Sequence, residues 1–290
     1  MIAEWLRGAA FGLLLLPALY AAGSFLAPFF SEEKEPVRGI LFVGAGFGFF
    51  AFTLAIAGHF GAYRLATVAV FAVGVILIRI RLVREFEGWL KFLVKIFSPG
   101  PGGEGALLGA IFFLLLGVTA LMCAAPEIAN DALCYQLNLP KTFLRRMSTL
   151  PIPDDFNSYL PMFMNYLYGV GLMAGSITAA KLFHWLTGVL LTAAVVCTIE
   201  ELSGKKILAV FIGLMLWLTP TVFKEIATTY VDVGAAFFLF LALHLFLRAR
   251  RRSGTSLWVL SGLFLGFAAG AKYLTLMAAL PFGVMLLRDS

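Results

Sequence analysis

Three ionisable side chains stand in places where an apolar sequence does not ordinarily carry charge. Asp131 lies in the polar stretch 126–147, directly after an apolar run. Asp232 lies inside the apolar run 226–247, and Lys272 has apolar residues on both sides. A charge near the centre of a membrane costs about 2.5–3.5 kcal/mol on insertion scales, so such residues are candidates for a functional site. A carboxylate can take a proton from an attacking hydroxyl group, and a lysine can bind a phosphate.

Each of these residues also has a purely structural interpretation. Asn130 or Asp131 could cap a short helix, DALCYQLNL, that ends at Pro140. Lys272 could extend its ammonium group to the membrane surface from a hairpin turn between two spans. Both alternatives stay open at the level of the sequence, but two acids and a lysine from separate parts of the chain carry more weight together than any one of them.

The composition predicts the class of protein. Hydrophobic residues make up 61% of the chain, charged residues make up 13%, and the mean hydropathy is +0.94. Soluble domains contain roughly 45–50% apolar residues. The sequence therefore predicts an all-α, polytopic membrane helix bundle. The net charge is +6, and the basic residues lie in short loops between apolar runs, where they set the orientation of the spans in the membrane. The positive charge is therefore not interpreted as a nucleic-acid-binding surface.

About nine segments are apolar and long enough to be transmembrane helices, since a span needs about 17–20 residues. The run 257–287 is divided at Lys272, because a single helix of that length would be about 46 Å long. The predicted spans are 8–30, 38–58, 62–79, 105–125, 177–199, 206–223, 226–247, 256–271 and 272–288.

Basic residues in short loops predict the orientation of these spans. The connection 79–104 and the stretch 248–252 are rich in Lys and Arg and should face the cytoplasm. Residues 126–176 and 219–230 and the turn at Lys272 then fall on the opposite side. Asp131, Asp232 and Lys272 are therefore expected at one extracytoplasmic face.

Two further segments are predicted to be helices that do not cross the membrane. Residues 159–175 would reverse the orientation of everything after them if they spanned, so they are interpreted as an interfacial or re-entrant helix in the extracytoplasmic loop. Residues 84–97 have aromatic and basic side chains at helical spacing, typical of a helix on the cytoplasmic surface.

The chain is predicted to contain two modules joined by a flexible linker at 99–104, which reads PGPGGE. Residues 1–98 form an N-terminal membrane module with three spans and the cytoplasmic interfacial helix. Residues 105–290 form a second membrane module. The chain stops at 287-LRDS-290, directly after a span.

Several motifs of residues 105–290 resemble a known family. They are 126-PEIANDALCYQLNLPKTFL-144, 161-PMFMNYLYGVGLMAGSITAAKLFHWLTGVLL-191, YVDVGAAFF and SGLFLGFAAGAKY. Together they resemble the N-terminal half of the GT-C membrane glycosyltransferases, in the family 39-like group of protein mannosyltransferase and aminoarabinose transferase relatives. That family usually continues with further spans, so the resemblance implies that the second module is incomplete at its C-terminus.

The resemblance implies roles for individual residues. Asp131 matches the catalytic Asp of the first extracytoplasmic loop and is expected to act as the general base. Lys272 is expected to bind the phosphate, and Asp232 is expected to be a structural or metal-binding acid. Gln136 stands where close relatives often have His. The remaining residues expected to bind substrate are Tyr135, Gln136, Tyr273 and Arg145.

The implied activity is inverting transfer of a sugar from a polyprenyl-phosphate donor to an extracytoplasmic lipid, glycan or protein. The implied setting is the lipid bilayer of a bacterial inner (plasma) membrane, with the site facing outward. No cofactor is certain, and a divalent metal is the one candidate. Two alternatives stay open: a transporter or flippase for a lipid-linked or small polar substrate, since charged residues within the membrane also mark transport paths, and an inactive truncated membrane protein.

Overall fold

Helices form all of the regular structure in the described residues. The computed structural model describes residues 2–31, 33–98, 102–251 and 255–289. Its α-helices are α1 (Ile2–Gly23), α2 (Val37–His59), α3 (Leu65–Ile78), α4 (Leu82–Ile96), α5 (Gly103–Met122), α6 (Asn138–Arg146), α7 (Phe163–Met173), α8 (Ile177–Ser203), α9 (Lys206–Leu218), α10 (Pro220–Glu225), α11 (Asp232–Arg251), α12 (Thr255–Ala271) and α13 (Ala279–Asp289).

Among the residues that the structure describes, five helical segments are long and apolar enough to cross a membrane. They are Ala3–Phe30, Val37–His59, Gly103–Met122, Ile177–Ser203 and Asp232–Arg251. The other four predicted spans correspond to shorter apolar helices, Leu65–Ile78, Lys206–Leu218, Thr255–Ala271 and Tyr273–Leu287. The prediction of an all-α membrane helix bundle is confirmed.

Local sequence explains where several helices begin and end. The Ser176 hydroxyl accepts a hydrogen bond from the backbone N–H of Ala179 at 3.1 Å, which caps the start of α8. Gly204 ends the same helix with a φ of +67°, a conformation that favours glycine. Pro220 is the first residue of α10, a position at which proline is favoured. Helix α9 ends at Leu218, just before it.

The predicted break at Lys272 is also present. Helix α12 ends at Ala271, and Lys272 has an extended backbone with φ −152° and ψ 113°. A 3₁₀ turn over Tyr273–Ala278 then leads into α13. The apolar run is therefore divided into two helical parts, and the lysine lies at the corner between them.

Contacts between helix termini show which termini lie together at each end of the bundle. At the first end, the Trp5 indole N–H donates to the carbonyl oxygen of Ala120 at 2.9 Å, which joins the start of α1 to the end of α5. At the second end, the guanidinium of Arg248 contacts Glu33 at 3.1 Å and Glu201 at 2.7 Å. We call this second end the basic end, because Arg248 and the bases near it lie there.

The two predicted non-spanning helices are present as α4 and α7. In α4, Trp89 is buried and its indole N–H donates to the carbonyl of Pro36 at 3.2 Å, at the basic end. Helix α7 has 11 residues, too few to cross a membrane. Phe163 of α7 stacks on Phe267 with ring centroids 5.5 Å apart. Because α7 is largely buried inside the first end of the bundle, it resembles a re-entrant helix more than one lying on the membrane surface.

The N-terminal helices share the hydrophobic core of the later ones. A Cβ atom on Gly8 of α1 would come within 2.9 Å of the backbone nitrogen of Ala179 in α8. Phe47 of α2 packs edge-on against Phe183 of α8, with ring centroids 6.3 Å apart. The division into modules 1–98 and 105–290 stays a prediction, and residues 99–101 of the predicted linker lie outside the described residues.

Candidate active site

A cleft opens at the first end of the bundle, opposite the basic end. Its volume is about 340 Å³. Side chains from the loop after α5, the start of α7, the segment around α10, the start of α11 and the corner after α12 line it. They are Asp131, Tyr135, Gln136, Leu160, Pro161, Met162, Asn165, Glu225, Tyr230, Val231, Asp232, Ala271, Lys272 and Tyr273.

Asp131 stands at the rim of the cleft, where its side chain is exposed. It precedes a π-helical turn over Ala132–Gln136, in which the N–H of Leu137 donates to the carbonyl of Ala132 at 2.9 Å. Single π-helical turns occur frequently at functional sites. The Asp131 side chain forms no capping hydrogen bond. The structural alternative for Asp131 is therefore not supported.

The helix expected to end at Pro140 has a different form. The prediction of one short helix over DALCYQLNL is wrong, because α6 starts at Asn138 and continues to Arg146. Pro140 lies in the first turn of α6, where the N–H that proline lacks has no partner within the helix. The π-helical turn and α6 together replace the single expected helix.

Gln136 is held in the cleft by Asn165 of α7. The Asn165 amide nitrogen donates to the Gln136 backbone carbonyl at 3.0 Å and to its side-chain oxygen at 2.6 Å. Both side chains are buried, with 4% of Gln136 and 1% of Asn165 exposed. This pair fixes the wall of the cleft beside Asp131, and no pattern in the sequence indicated that Asn165 would be the partner of Gln136.

Asp232 and Lys272 form an ion pair across the cleft. The Lys272 ammonium donates a hydrogen bond to the Asp232 carboxylate. Asp232 is the first residue of α11, where a carboxylate also interacts favourably with the helix dipole. Both side chains stay partly exposed, Lys272 at 36% and Asp232 at 42%. The pair is therefore accessible to a substrate that enters the cleft.

Sequence reasoning missed Glu225 and Tyr230. Glu225 is the last residue of α10 and lines the cleft, and Tyr230 lies just before Asp232. Burial, and then the neighbouring Asp232, raise the pKa of the Glu225 carboxyl. A signal was present, since an acid in the predicted extracytoplasmic stretch 219–230 had to lie near Asp232.

Buried groups from two helices hold the segment 225–232 in place. The Nδ1 atom of His184 lies 2.9 Å from the carbonyl oxygen of Thr228 and 3.2 Å from that of Glu225. The Tyr168 hydroxyl donates to the carbonyl of Tyr230. These contacts from α8 and α7 determine how α10 meets α11, and so where Asp232 points.

Six of the seven predicted site residues line the cleft together: Asp131, Tyr135, Gln136, Asp232, Lys272 and Tyr273. Arg145 does not. It lies on the last turn of α6 with its side chain exposed. The structure thus brings together residues that are about 140 positions apart in the chain, and the roles of the individual side chains stay predictions.

In the part of the chain that the structure describes, Asp232 has no neighbouring side chains that would complete a metal site. Over those residues, no group of three or more His, Cys, Asp or Glu side chains could hold a metal ion. The Asp232 carboxylate is instead occupied by the Lys272 ammonium group.

Comparison with known proteins identifies a similarity over part of the chain. Residues 159–289 match the sequence model of the family described as dolichyl-phosphate-mannose-protein mannosyltransferase. No curated protein and no solved structure matches the chain. The matched residues include Asp232, Lys272 and Tyr273, whereas Asp131 lies before them. Residues 159–289 are therefore similar to this GT-C-like family of membrane mannosyltransferases.

Proposed function

We propose that the protein transfers a sugar from a polyprenyl-phosphate donor to a hydroxyl group of an acceptor at the extracytoplasmic face of the membrane, with inversion at the sugar carbon. The match of residues 159–289 to the family model supports a membrane glycosyltransferase with this class of donor. The observation that carries the proposal is the shared cleft, which brings Asp131 and the pair of Asp232 and Lys272 to one end of the bundle.

Asp131 has the position of a general base. Its exposed carboxylate faces the cleft and has no capping role. In the proposed reaction the acceptor oxygen attacks the anomeric carbon, and Asp131 takes the proton of that hydroxyl group. The bond between the anomeric carbon and the phosphate oxygen breaks, and its electron pair leaves with the phosphate. General-base catalysis contributes typically about 10²–10⁴-fold to such a rate.

Lys272 is the group proposed to bind the phosphate. An ammonium group has three donors, and the hydrogen bond to Asp232 uses one of them. The others can contact a phosphate oxygen as negative charge develops on the leaving group. Asp232 keeps the ammonium at the mouth of the cleft, so the structural role foreseen for this acid is the one we propose.

The place of the cleft in the bundle fits a lipid-borne donor. The cleft lies at the start of the long apolar helix α11, beside the connections at that end of the bundle, and the ends of spans lie near the headgroups of a bilayer. The prenyl tail would stay in the bilayer, and the phosphate would meet Lys272 at the boundary. The charge balance favours a single phosphate, because the lining contains the carboxyl groups of Asp131, Glu225 and Asp232 against one lysine.

The test is transfer of radiolabelled mannose from polyprenyl-phosphate mannose in membranes that contain the wild-type protein or Asp131→Asn. Asparagine keeps the shape of the side chain but cannot take the proton, so we expect kcat to fall by about 10²–10⁴-fold with donor binding nearly unchanged. Asp154→Asn is the matched control, because Asp154 is exposed in the same loop and does not line the cleft.

Two results would overturn the proposal. Undiminished transfer by Asp131→Asn would show that Asp131 is not the general base. No transfer by the wild-type protein over a panel of donor sugars, combined with substrate flux that depends on Asp232, would favour the transporter.

A further inference from the structure

A buried ion pair lies behind the cleft and outside its lining. It joins Glu127, in the loop after α5, to Lys181 of α8, with 3.9 Å between Nζ and Oε2. The side chains are only 2% and 3% exposed, respectively. The Lys181 ammonium also donates to the carbonyl of Ala125 at 2.8 Å. Sequence analysis did not single out either residue.

The Glu127 carboxylate connects the two stretches of chain that carry the acids of the cleft. Its Oε1 atom accepts hydrogen bonds from the backbone N–H groups of Ile128 and Ala129, both at 3.1 Å. Its Oε2 atom accepts from the backbone N–H of Thr229 at 3.1 Å, and the Thr229 hydroxyl lies at 3.4 Å. Asp131 follows Glu127 by four residues, and Asp232 follows Thr229 by three.

The cost of burying these charges indicates a role other than stability. Removing two charges from water is expensive, and replacing a buried pair with apolar groups is often neutral or stabilising. The carboxylate is saturated by backbone donors from two loops that are about a hundred residues apart in the chain. His184 and Tyr168 reach the segment 225–232 from the helix side, whereas Glu127 reaches it from the loop of Asp131.

We propose that Glu127, with its partner Lys181, is a positioning residue that fixes the spacing between Asp131 and Asp232. The inference rests on the proposed function for its catalytic consequence, but its structural content does not depend on it. Neither side chain lines the cleft, so both act through the residues that do.

The first test measures geometry without any enzyme assay. Spin labels are placed at Ile128→Cys and Lys224→Cys, both exposed positions, in a full-length protein whose native cysteines are replaced. We expect the distance distribution between the labels to be narrow with Glu127 in place and to broaden in Glu127→Gln. Glu33→Gln is the control, because Glu33 is an equally buried acid that pairs with Arg248 at the basic end. It should leave the distribution unchanged.

The second test measures catalysis. In Glu127→Gln we expect kcat to fall by about 10–100-fold with the donor KM within about twofold, since misplacement of a catalytic group by about 1 Å can cost 10²-fold. If Glu127→Gln does not fold, the double variant Glu127→Leu/Lys181→Met replaces it, because removing both buried charges leaves neither one unpaired. In the double variant we still expect a broad distribution of label distances and a low kcat.

The outcomes separate the two proposals. An unchanged distance distribution in either folded variant would overturn the positioning role, whatever the activity. Broadened distances with a wild-type kcat would also overturn it. Absence of transfer by the wild-type protein would count against the proposed function, and the label distances would still decide the role of Glu127.

Discussion

At the residue scale, the charged groups of the cleft differ in their ion pairing and in their exposure to water. Lys272 and Asp232 neutralise each other, whereas the Asp131 carboxylate stands at the exposed rim. Glu225 lies beside Asp232 and is partly removed from water, which raises the pKa of its carboxyl group. The acids in one small cleft therefore face different environments, as a site with distinct acid and base roles requires.

Glu225 should make stability depend on pH. Because its pKa is raised in the folded protein, ionising this carboxyl costs stability once the pH exceeds the unfolded value, and the cost disappears at lower pH. We expect Glu225→Gln to raise the apparent Tm by at most about 2 °C at about pH 7.5, and to have no effect below about pH 4. The control is Glu104→Gln, at an exposed position outside the cleft. A gain that is equal at both pH values would contradict the prediction.

Lys272 should matter for both binding and turnover. Lys272→Ala removes the contact proposed for the donor phosphate, which would exist in the ground state and strengthen in the transition state. A hydrogen bond to a charged group contributes about 1.5–3 kcal/mol, so kcat/KM should fall by about 10–100-fold, with a higher donor KM. Steady-state transfer assays check this, with Lys224→Ala as the control because Lys224 is exposed and outside the lining. An unchanged KM would argue against phosphate binding.

At the scale of elements, short helical pieces rather than the long spans shape the cleft. The π-helical turn over Ala132–Gln136 and helix α7 meet through Asn165 and Gln136. Helix α10 and the segment after it present Glu225 and Asp232. The long apolar helices form the frame, and the connections at one end line the cleft, as is usual when loops carry a site on a fixed scaffold.

The pair of Asn165 and Gln136 should behave as a coupled unit. Asn165→Leu leaves the buried Gln136 amide without its donor and should destabilise the protein by about 1–3 kcal/mol. Gln136→Leu should cost a similar amount, but the double variant should cost less than the sum, because both polar groups are then gone. Thermal unfolding of the four proteins in one detergent measures the coupling. Strict additivity would show that the two amides do not depend on each other.

At the scale of the whole molecule, bases and cleft lie at opposite ends. Arg248 binds Glu33 and Glu201 at the basic end, whereas the start of α1 meets the end of α5 at the cleft end. The predicted basic stretch 248–252 agrees with this arrangement over its described residues, and Arg252 lies outside them. By the positive-inside rule the basic end should face the cytoplasm and the cleft should face outward.

Labelling of single cysteines tests this orientation. In a background without native cysteines, an impermeant maleimide should label Asp154→Cys on intact cells and Lys205→Cys only after permeabilisation. Both positions are exposed, and they lie on the connections at the cleft end and the basic end, respectively. Before permeabilisation, labelling of Asp154→Cys should clearly exceed labelling of Lys205→Cys. The reverse pattern would overturn the orientation and with it the extracytoplasmic acceptor.

The sequence by itself determined the class of the protein and most of its helices. A bilayer imposes an apolar requirement on every residue of a span, so composition along the chain reveals spans without knowledge of their neighbours. The same local argument predicted the break at Lys272 and identified Asp131 and Asp232, because charge stands out in an apolar chain.

Only the tertiary structure decided which side chains meet. The pairing of Lys272 with Asp232, the clamp from Glu127 to Thr229 and the position of Glu225 depend on how helices rotate and pack against segments far away in the chain. Arg145 lies outside the cleft for the same reason, since the direction of a side chain on α6 follows from its packing. Local periodicity contains no information on such contacts, because they are fixed by the fit between surfaces of distant elements.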